Sequence, residues 1–158
     1  PSQDLDLSGT RVAGPGLVHL SGLEGLTDLD LKGTPVTDAG LHSLRNLNSL
    51  ETLNLEQTQV CDAGLEYIAR LVQLDWLNLK DTKVSDAGLE HLASLPRLRH
   101  LHLEGTGVSS QGLRHLKGLA TLRELYLPSD MPQDGELQRL HKAIPECWIY
   151  LGSCYYDQ

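Results

Sequence analysis

Residues able to carry out chemistry recur along this chain at a fixed spacing of 24 positions. Two such series begin with carboxylates and end with histidine and aromatic side chains, and we call them the first and second columns. The first column is Asp4, Asp28, Thr52, Trp76, His100, Glu124 and Trp148, and the second column is Asp6, Asp30, Asn54, Asn78, His102, Tyr126 and Tyr150.

Histidine beside a carboxylate is a pattern that general acid–base catalysis uses, and His100, His102 and Glu104 stand close together. The sequence has no GxSxG, HExxH, P-loop or Rossmann glycine motif that would complete such a site. Three further histidines share one repeat position, but a metal site needs another ligand and none is evident. These are His19, His91 and His115. The sequence therefore predicts no enzyme activity, no metal site and no cofactor.

The spacing of the columns comes from an internal repeat. An LxL unit recurs six times without insertion, and a seventh step falls on Ile149 and Leu151. The first leucines of the six units are Leu5, Leu29, Leu53, Leu77, Leu101 and Leu125. Alternation with period two predicts a short strand with both leucines on one face, which leaves the column residues on the other face.

Each strand is followed by a conserved order of residues within the first five repeats. A Thr follows five positions after the first Leu, then Val, then Gly-Leu, as in "TKVSDAGLEHL" from Thr82. The Thr residues are predicted to form a buried ladder bonded to the backbone. Ser85 or Asp86 is predicted to cap a helix. Strand, helix and next strand in 24 residues predict a parallel sheet with right-handed crossovers.

This pattern resembles the leucine-rich repeat family over essentially the whole chain. It is similar to the short bacterial TxVTDAGL type and to the cysteine-containing repeats of F-box proteins. The resemblance implies an α/β solenoid, a right-handed horseshoe or arc, with parallel strands on the concave face and helices on the convex face. It also implies a protein-interaction module, without naming the partner.

The chain divides into two regions on this reading. Residues 1–127 contain five tandem repeats and the start of a sixth, and residues 128–158 form a capping repeat and tail. The last repeat carries Asp130 and Pro132 in the Thr and Val positions, and its helix is predicted between Asp134 and Pro145. Cys154 is predicted in the Thr position of a seventh strand. Three free thiols are expected, and a bond between Cys147 and Cys154 stays open as the alternative.

Charge narrows the choice of partner. The formal net charge is −8, which argues against nucleic acid because phosphate binding needs a basic face. No apolar run approaches the roughly 20 residues that span a bilayer. Residues 1–96 contain six Lys and Arg against fourteen Asp and Glu, so the net charge lies there and favours a basic partner.

The predicted binding surface combines these acids with the aromatic end of the columns. Its residues are Trp76, His100, His102, Tyr126, Asn54, Asn78, Asp4, Asp6, Asp28 and Asp30. Two alternatives stay open: a carbohydrate-binding surface that uses Trp and Tyr stacking, and a structural or sensor arm of a longer enzyme. A third column, Ser8, Lys32, Glu56, Lys80, Glu104 and Pro128, alternates in sign and predicts cross-strand ion pairs.

The first repeat matches the consensus and so looks unlike a cap. It would leave Leu5, Leu7, Leu17 and Leu20 without an upstream coil. We therefore expect the chain to be the C-terminal part of a longer repeat protein, and to self-associate or fray at its N-terminal edge when it is alone.

Overall fold

The computed structural model describes residues 3–156 and contains one sheet whose strands follow sequence order. The strands are β1 (Asp4–Asp6), β2 (Asp28–Asp30), β3 (Thr52–Asn54), β4 (Trp76–Asn78), β5 (His100–His102), β6 (Glu124–Leu127), β7 (Trp148–Leu151) and β8 (Cys154–Tyr155). The first seven are parallel, and each residue pairs with the residue 24 positions on. The solenoid predicted from the LxL unit is confirmed.

Helical segments cross from each strand to the next. They are α1 (Gly14–Leu17), α2 (Asp38–Leu41), α3 (Leu65–Ile68), α4 (Asp86–Leu92) and α5 (Gly135–Ala143), with 3₁₀ turns at Val18–Leu20, His42–Leu44, Asp62–Gly64 and Ser110–Leu116. A 24-residue coil leaves little room for the return crossing, so the segments are short and partly 3₁₀. Helix α5 begins after Asp134 and ends before Pro145, as the sequence predicts.

The core is a continuous stack of aliphatic side chains. Leu29, Leu53, Leu77, Leu101 and Leu125 are each at most 1% exposed. Since one coil buries its leucines against the next, no single repeat could hold this core alone. None of the helices among residues 3–156 is both long enough and apolar enough to cross a membrane.

The threonine ladder is present as predicted. Thr34, Thr58 and Thr82 are at most 6% exposed. Each hydroxyl donates to the carbonyl three residues earlier at 2.6–2.7 Å. The bond satisfies a carbonyl where the chain leaves the strand and turns into the crossover.

A second ladder replaces the predicted helix cap. Ser85 stands at the N-cap of α4 but makes no side-chain bond to the helix. Its Oγ and its backbone N–H instead donate to Asp62 of the preceding coil, at 2.6 and 2.7 Å. Equivalent bonds run from Cys61 to Asp38 and from Ser109 to Asp86. The Asp of each "DAGL" therefore joins neighbouring coils, and the cap assigned to Ser85 or Asp86 is wrong.

The glycine at this repeat position, in "DAGL" or in "SQGL" at Gly112, allows these coils to approach. A Cβ on Gly64, Gly88 or Gly112 would lie 2.5, 2.5 or 2.3 Å from the aspartate Oδ1 of the preceding coil. Real Cβ atoms do not come so close. The Gly and the Asp are thus two halves of one contact repeated along the solenoid.

The N-terminal end is better covered than the sequence predicts. Leu17 and Leu20 are 0% and 9% exposed, because their own coil and the next one enclose them. Of the four leucines predicted to lack an upstream coil, only Leu5 and Leu7 are partly exposed. Within residues 3–156, β1 pairs with β2 alone. Self-association at this edge stays a prediction.

The C-terminal end closes with an unexpected hairpin. Cys154 does not continue the seventh strand but lies in β8, antiparallel to β7 and opposite Leu151. The sequence prediction was wrong here because Gly152, at φ +60°, reverses the chain. Tyr156 then enters the core at 4% exposure. The three cysteines are free, with Cys147 buried and Cys154 exposed.

Candidate functional site

The strands place all ten predicted binding residues on the outer, concave face of the sheet. Their registers align Asp28 with Thr52 and Trp76 with His100, and the same holds along both columns. This follows from the pleat, since the leucines that flank each column residue turn into the core. The site is therefore a surface built from many coils.

One ring of the first column and three rings of the second column form a continuous aromatic stack, made of Trp76, His102, Tyr126 and Tyr150. The ring centroids of Trp76 and His102 are 5.3 Å apart, those of His102 and Tyr126 4.2 Å, and those of Tyr126 and Tyr150 4.6 Å. The last two pairs are nearly coplanar, with interplanar angles of 4° and 9°. Trp76 and Tyr126 are consequently half-buried, where the sequence predicted that they face solvent. The stack presents ring edges more than ring faces.

The tail extends this stack at the C-terminal end. Tyr155 packs against Trp148 at 5.1 Å and against Tyr150 at 5.8 Å. The tail therefore partly covers Tyr150, while Trp148 stays 57% exposed.

His100 is held between two carboxylates. Its Nδ1 lies 3.1 Å from Glu124 Oε2, and its Nε2 lies 3.8 Å from Asp75 Oδ1. The Tyr126 hydroxyl donates to the same Glu124 oxygen at 3.2 Å. Burial, and then the charge of Glu124, raise the pKa of Tyr126 to about 12. The group His100, His102 and Glu104 suggested by the sequence is thus divided, because His100 turns to Glu124.

His102 and Glu104 make a separate pair. His102 Nδ1 lies 3.5 Å from Glu104 Oε2. Burial opposes ionisation of Glu104, but its contact with His102, a backbone bond and the nearby charges of His102 and Lys80 outweigh that effect. The pKa of Glu104 is therefore lowered. Both histidines of the surface contact carboxylates, and these contacts hold their rings in position.

The asparagines support the surface from below. Asn78 is 6% exposed, and its amide donates to Glu56 at 3.2 Å while accepting from the backbone N–H of Lys80 at 2.9 Å. Asn54 likewise accepts from the Glu56 N–H at 3.1 Å and donates to Asp30. These bonds occupy hydrogen-bonding groups of both amides that a partner would otherwise contact, and burial further limits the contact that Asn78 can make.

The ion pairs predicted for the third column form in part. Lys32 Nζ lies 3.1 Å from Glu56 Oε1, on the neighbouring coil. Lys80 has no carboxylate within 4.0 Å among residues 3–156. Lys32 is the basic side chain of this column nearest to the four N-terminal aspartates, and it is already paired.

Those aspartates border a depression that we call the acidic hollow. It encloses about 300 Å³ and is lined by Asp4, Leu5, Asp6, Asp28, Leu29, Asp30, Thr52, Asn54 and Trp76. Leu5 and Leu29, whose side chains turn into the core, contribute the strand backbone at its floor, and Trp76 lines its C-terminal side. Hydrogen bonds from the side chain and backbone of Ser8 lower the pKa of Asp6. The hollow joins the acidic and aromatic halves of the predicted surface, because Trp76 lines it together with the four aspartates.

Comparisons with known proteins agree with this architecture. A family model described as a leucine-rich repeat matches residues 46–69. The fold is similar to internalin C2 of Listeria monocytogenes, with a TM-score of 0.72, 22% identity, and coverage of 92% of this chain and 69% of the other. It is also similar to a leucine-rich repeat protein of Leptospira interrogans, with a TM-score of 0.76, 22% identity, and coverage of 92% and 36%. Comparison with curated proteins finds no match.

By repeat pattern and fold, the chain has the leucine-rich repeat architecture. It spans about a third of the length of the Leptospira protein, since 36% of that chain is covered. Proteins with this fold generally mediate protein–protein interaction.

Proposed function

We propose that this chain is a protein-interaction module that binds its partner on the concave face. The observation that carries the proposal is the joined surface of acidic hollow and aromatic stack, which spans the sheet from β1 to β7. Trp, Tyr and His concentrate there in a chain that is only 4% aromatic. Interfaces are enriched in such side chains, and rigid ones lose little conformational entropy on binding.

The two halves of the surface have different roles. The aromatic stack is preorganised, because its rings pack against one another and His100 and His102 are each held by a carboxylate. It supplies the anchors. The acidic hollow supplies charge, which speeds association with a basic segment and weakens as salt screens it.

Carbohydrate binding has less support from this geometry. A sugar stacks on an exposed ring face, but the faces of His102 and Tyr126 lie against neighbouring rings at 4.2–4.6 Å. Trp148 is exposed, though it lies at the end of the sheet beside Tyr155. A role as an arm of a longer enzyme would use the same surface and is compatible with the proposal.

Affinity capture with quantitative mass spectrometry tests the proposal. Trp76→Ala/Tyr126→Ala should lose the captured partner, since each truncation removes about 1–3 kcal/mol of binding free energy. The matched control is Glu66→Ala/Glu90→Ala, which changes two exposed helix residues on the convex side. Circular dichroism verifies that both variants are folded. A partner retained by the concave variant, or lost by the convex one, would contradict the proposal.

A further inference from the structure

The aspartates of the acidic hollow differ from Glu56, Glu104 and Glu124 of the concave face because no basic side chain in the described part of the chain contacts them. Glu56 pairs with Lys32, Glu104 lies against His102, and Glu124 contacts His100. Within residues 3–156, no Lys, Arg or His nitrogen lies within 4.0 Å of the hollow's four aspartates, which are Asp4, Asp6, Asp28 and Asp30. Asp4 and Asp28 are moreover direct register partners, as are Asp6 and Asp30. Like charges in that arrangement repel each other, and a foreign cation would relieve them.

The hollow is shaped for an organic cation. No group of three or more potential ligands among the described residues is placed to hold a metal ion. The indole of Trp76 lines the hollow beside the aspartates. A site that combines carboxylates with an aromatic ring suits an organic cation that can lie against the ring better than a bare ion.

The hollow spans β3, whose outward side chains are much smaller than the indole of Trp76 on β4. Thr52 and Asn54 separate the aspartates of β2 from Trp76 on β4. Two strand spacings put the aspartates of β2 and Trp76 on β4 about 10 Å apart. A planar cation between them can lie within about 6 Å of the Trp76 ring and still bond to a carboxylate of β2. His102 packs against the indole with ring centroids 5.3 Å apart, which helps to keep the Trp76 ring in place.

Resting on the proposed function, we propose that the acidic hollow binds an arginine side chain of a basic segment in the partner protein. Its guanidinium lies over Trp76 and donates to Asp28, and a neighbouring basic residue meets Asp4 and Asp6. Arginine fits better than lysine because its planar group both stacks on an aromatic ring and bonds two oxygens at once, and it is more weakly hydrated.

Titration with the peptide acetyl-(Arg)4-amide tests this inference. A Trp148→Phe background leaves Trp76 as the single tryptophan, so its fluorescence reports on the hollow directly. We expect saturable quenching or a shift of Trp76 emission. Acetyl-(Lys)4-amide should bind about threefold to tenfold more weakly, because it loses the stacking and the paired bonds.

Isosteric neutralisation supplies the decisive variant. Asp4→Asn/Asp28→Asn should weaken peptide binding by about tenfold or more through the loss of two charges. It should also raise the melting temperature, which distinguishes lost recognition from lost folding. The control, Glu66→Gln/Glu90→Gln, removes two charges from the convex side and should bind as the wild type does.

Three results would overturn the inference. They are equal binding to Asp4→Asn/Asp28→Asn, an equal loss in the convex control, and equal affinity for the lysine peptide. Its failure is distinct from failure of the proposed function. If Trp76→Ala/Tyr126→Ala abolishes capture of the partner but the arginine peptide does not bind, the concave interface stands and the arginine assignment falls.

Discussion

Replacing Gly88 with alanine should destabilise the protein, although alanine is the better helix former. Gly88 lies buried in α4, where the neighbouring coil packs against the helix backbone. The added Cβ would lie 2.5 Å from Asp62 Oδ1 and 2.8 Å from Leu65 Cδ1. The Asp62 carboxylate cannot turn away freely, because it accepts two bonds from Ser85 at 2.6 and 2.7 Å.

The magnitude follows from three opposing contributions. Glycine to alanine in a helix stabilises by about 0.5–1 kcal/mol. Overpacking costs about 1–3 kcal/mol, and disturbing hydrogen bonds to a charged carboxylate costs about 1.5–3 kcal/mol. Since the coils can relax in part, we expect a net loss of about 2–4 kcal/mol in the free energy of unfolding.

Urea unfolding followed by circular dichroism measures this loss. Gly118→Ala is the control, because a Cβ there has no atom within 4 Å, and it should be neutral or slightly stabilising by restricting the unfolded chain. In an Asp62→Ala background, the cost of Gly88→Ala should fall by about 1 kcal/mol or more, since the two residues are in contact. A Gly88→Ala variant as stable as the Gly118→Ala control would refute the claim that this glycine sets the distance between coils.

Three other predictions concern single positions. Thr82→Val should lower the free energy of unfolding by about 1 kcal/mol, as measured by urea unfolding. The Leu79 carbonyl would lose its bond from the Thr82 hydroxyl and keep only the bond from the backbone N–H at 3.2 Å. An unchanged unfolding midpoint would show that the ladder is not stabilising. Gln57→Gly should raise stability by about 0.5–1 kcal/mol, because Gln57 has φ 58°, a conformation that glycine adopts without strain; a lower melting temperature would contradict this. Burial raises the pKa of the Cys147 thiol to about 12. Iodoacetamide at pH 8 should therefore modify exposed Cys154 and leave Cys147 unmodified until the protein unfolds. Rapid modification of Cys147 in the native protein, detected by mass spectrometry, would disprove its burial.

The repeat made much of the fold predictable. A period of 24 residues with LxL in each unit predicts where every parallel strand lies and which side chains turn inward. The same reasoning places Trp76, His100 and Tyr126 on the concave face. It also predicts the Thr82 ladder, because a hydroxyl repeated in register at a strand exit has a backbone group to bond.

Prediction failed where a residue's partner lies in another coil. A Ser-Asp pair before a helical run is typical of an N-cap, and the sequence alone does not show that Ser85 reaches back to Asp62. A recurrence of Asp and Gly in the same repeat position could have indicated a coil-to-coil contact. At the C-terminal end, one glycine at positive φ turned an expected seventh-strand residue, Cys154, into an eighth strand.

The sequence by itself determined the architecture, the inward and outward faces and the uneven charge, because these depend on local periodicity and composition. The tertiary structure decided how the outward residues meet. Rotamers and cross-strand distances place His102 face to face with Tyr126, turn His100 to Glu124, bury Asn78 and leave a hollow between Asp28 and Trp76. Such contacts join residues at least one coil apart, and no local pattern specifies which of several neighbours a side chain selects.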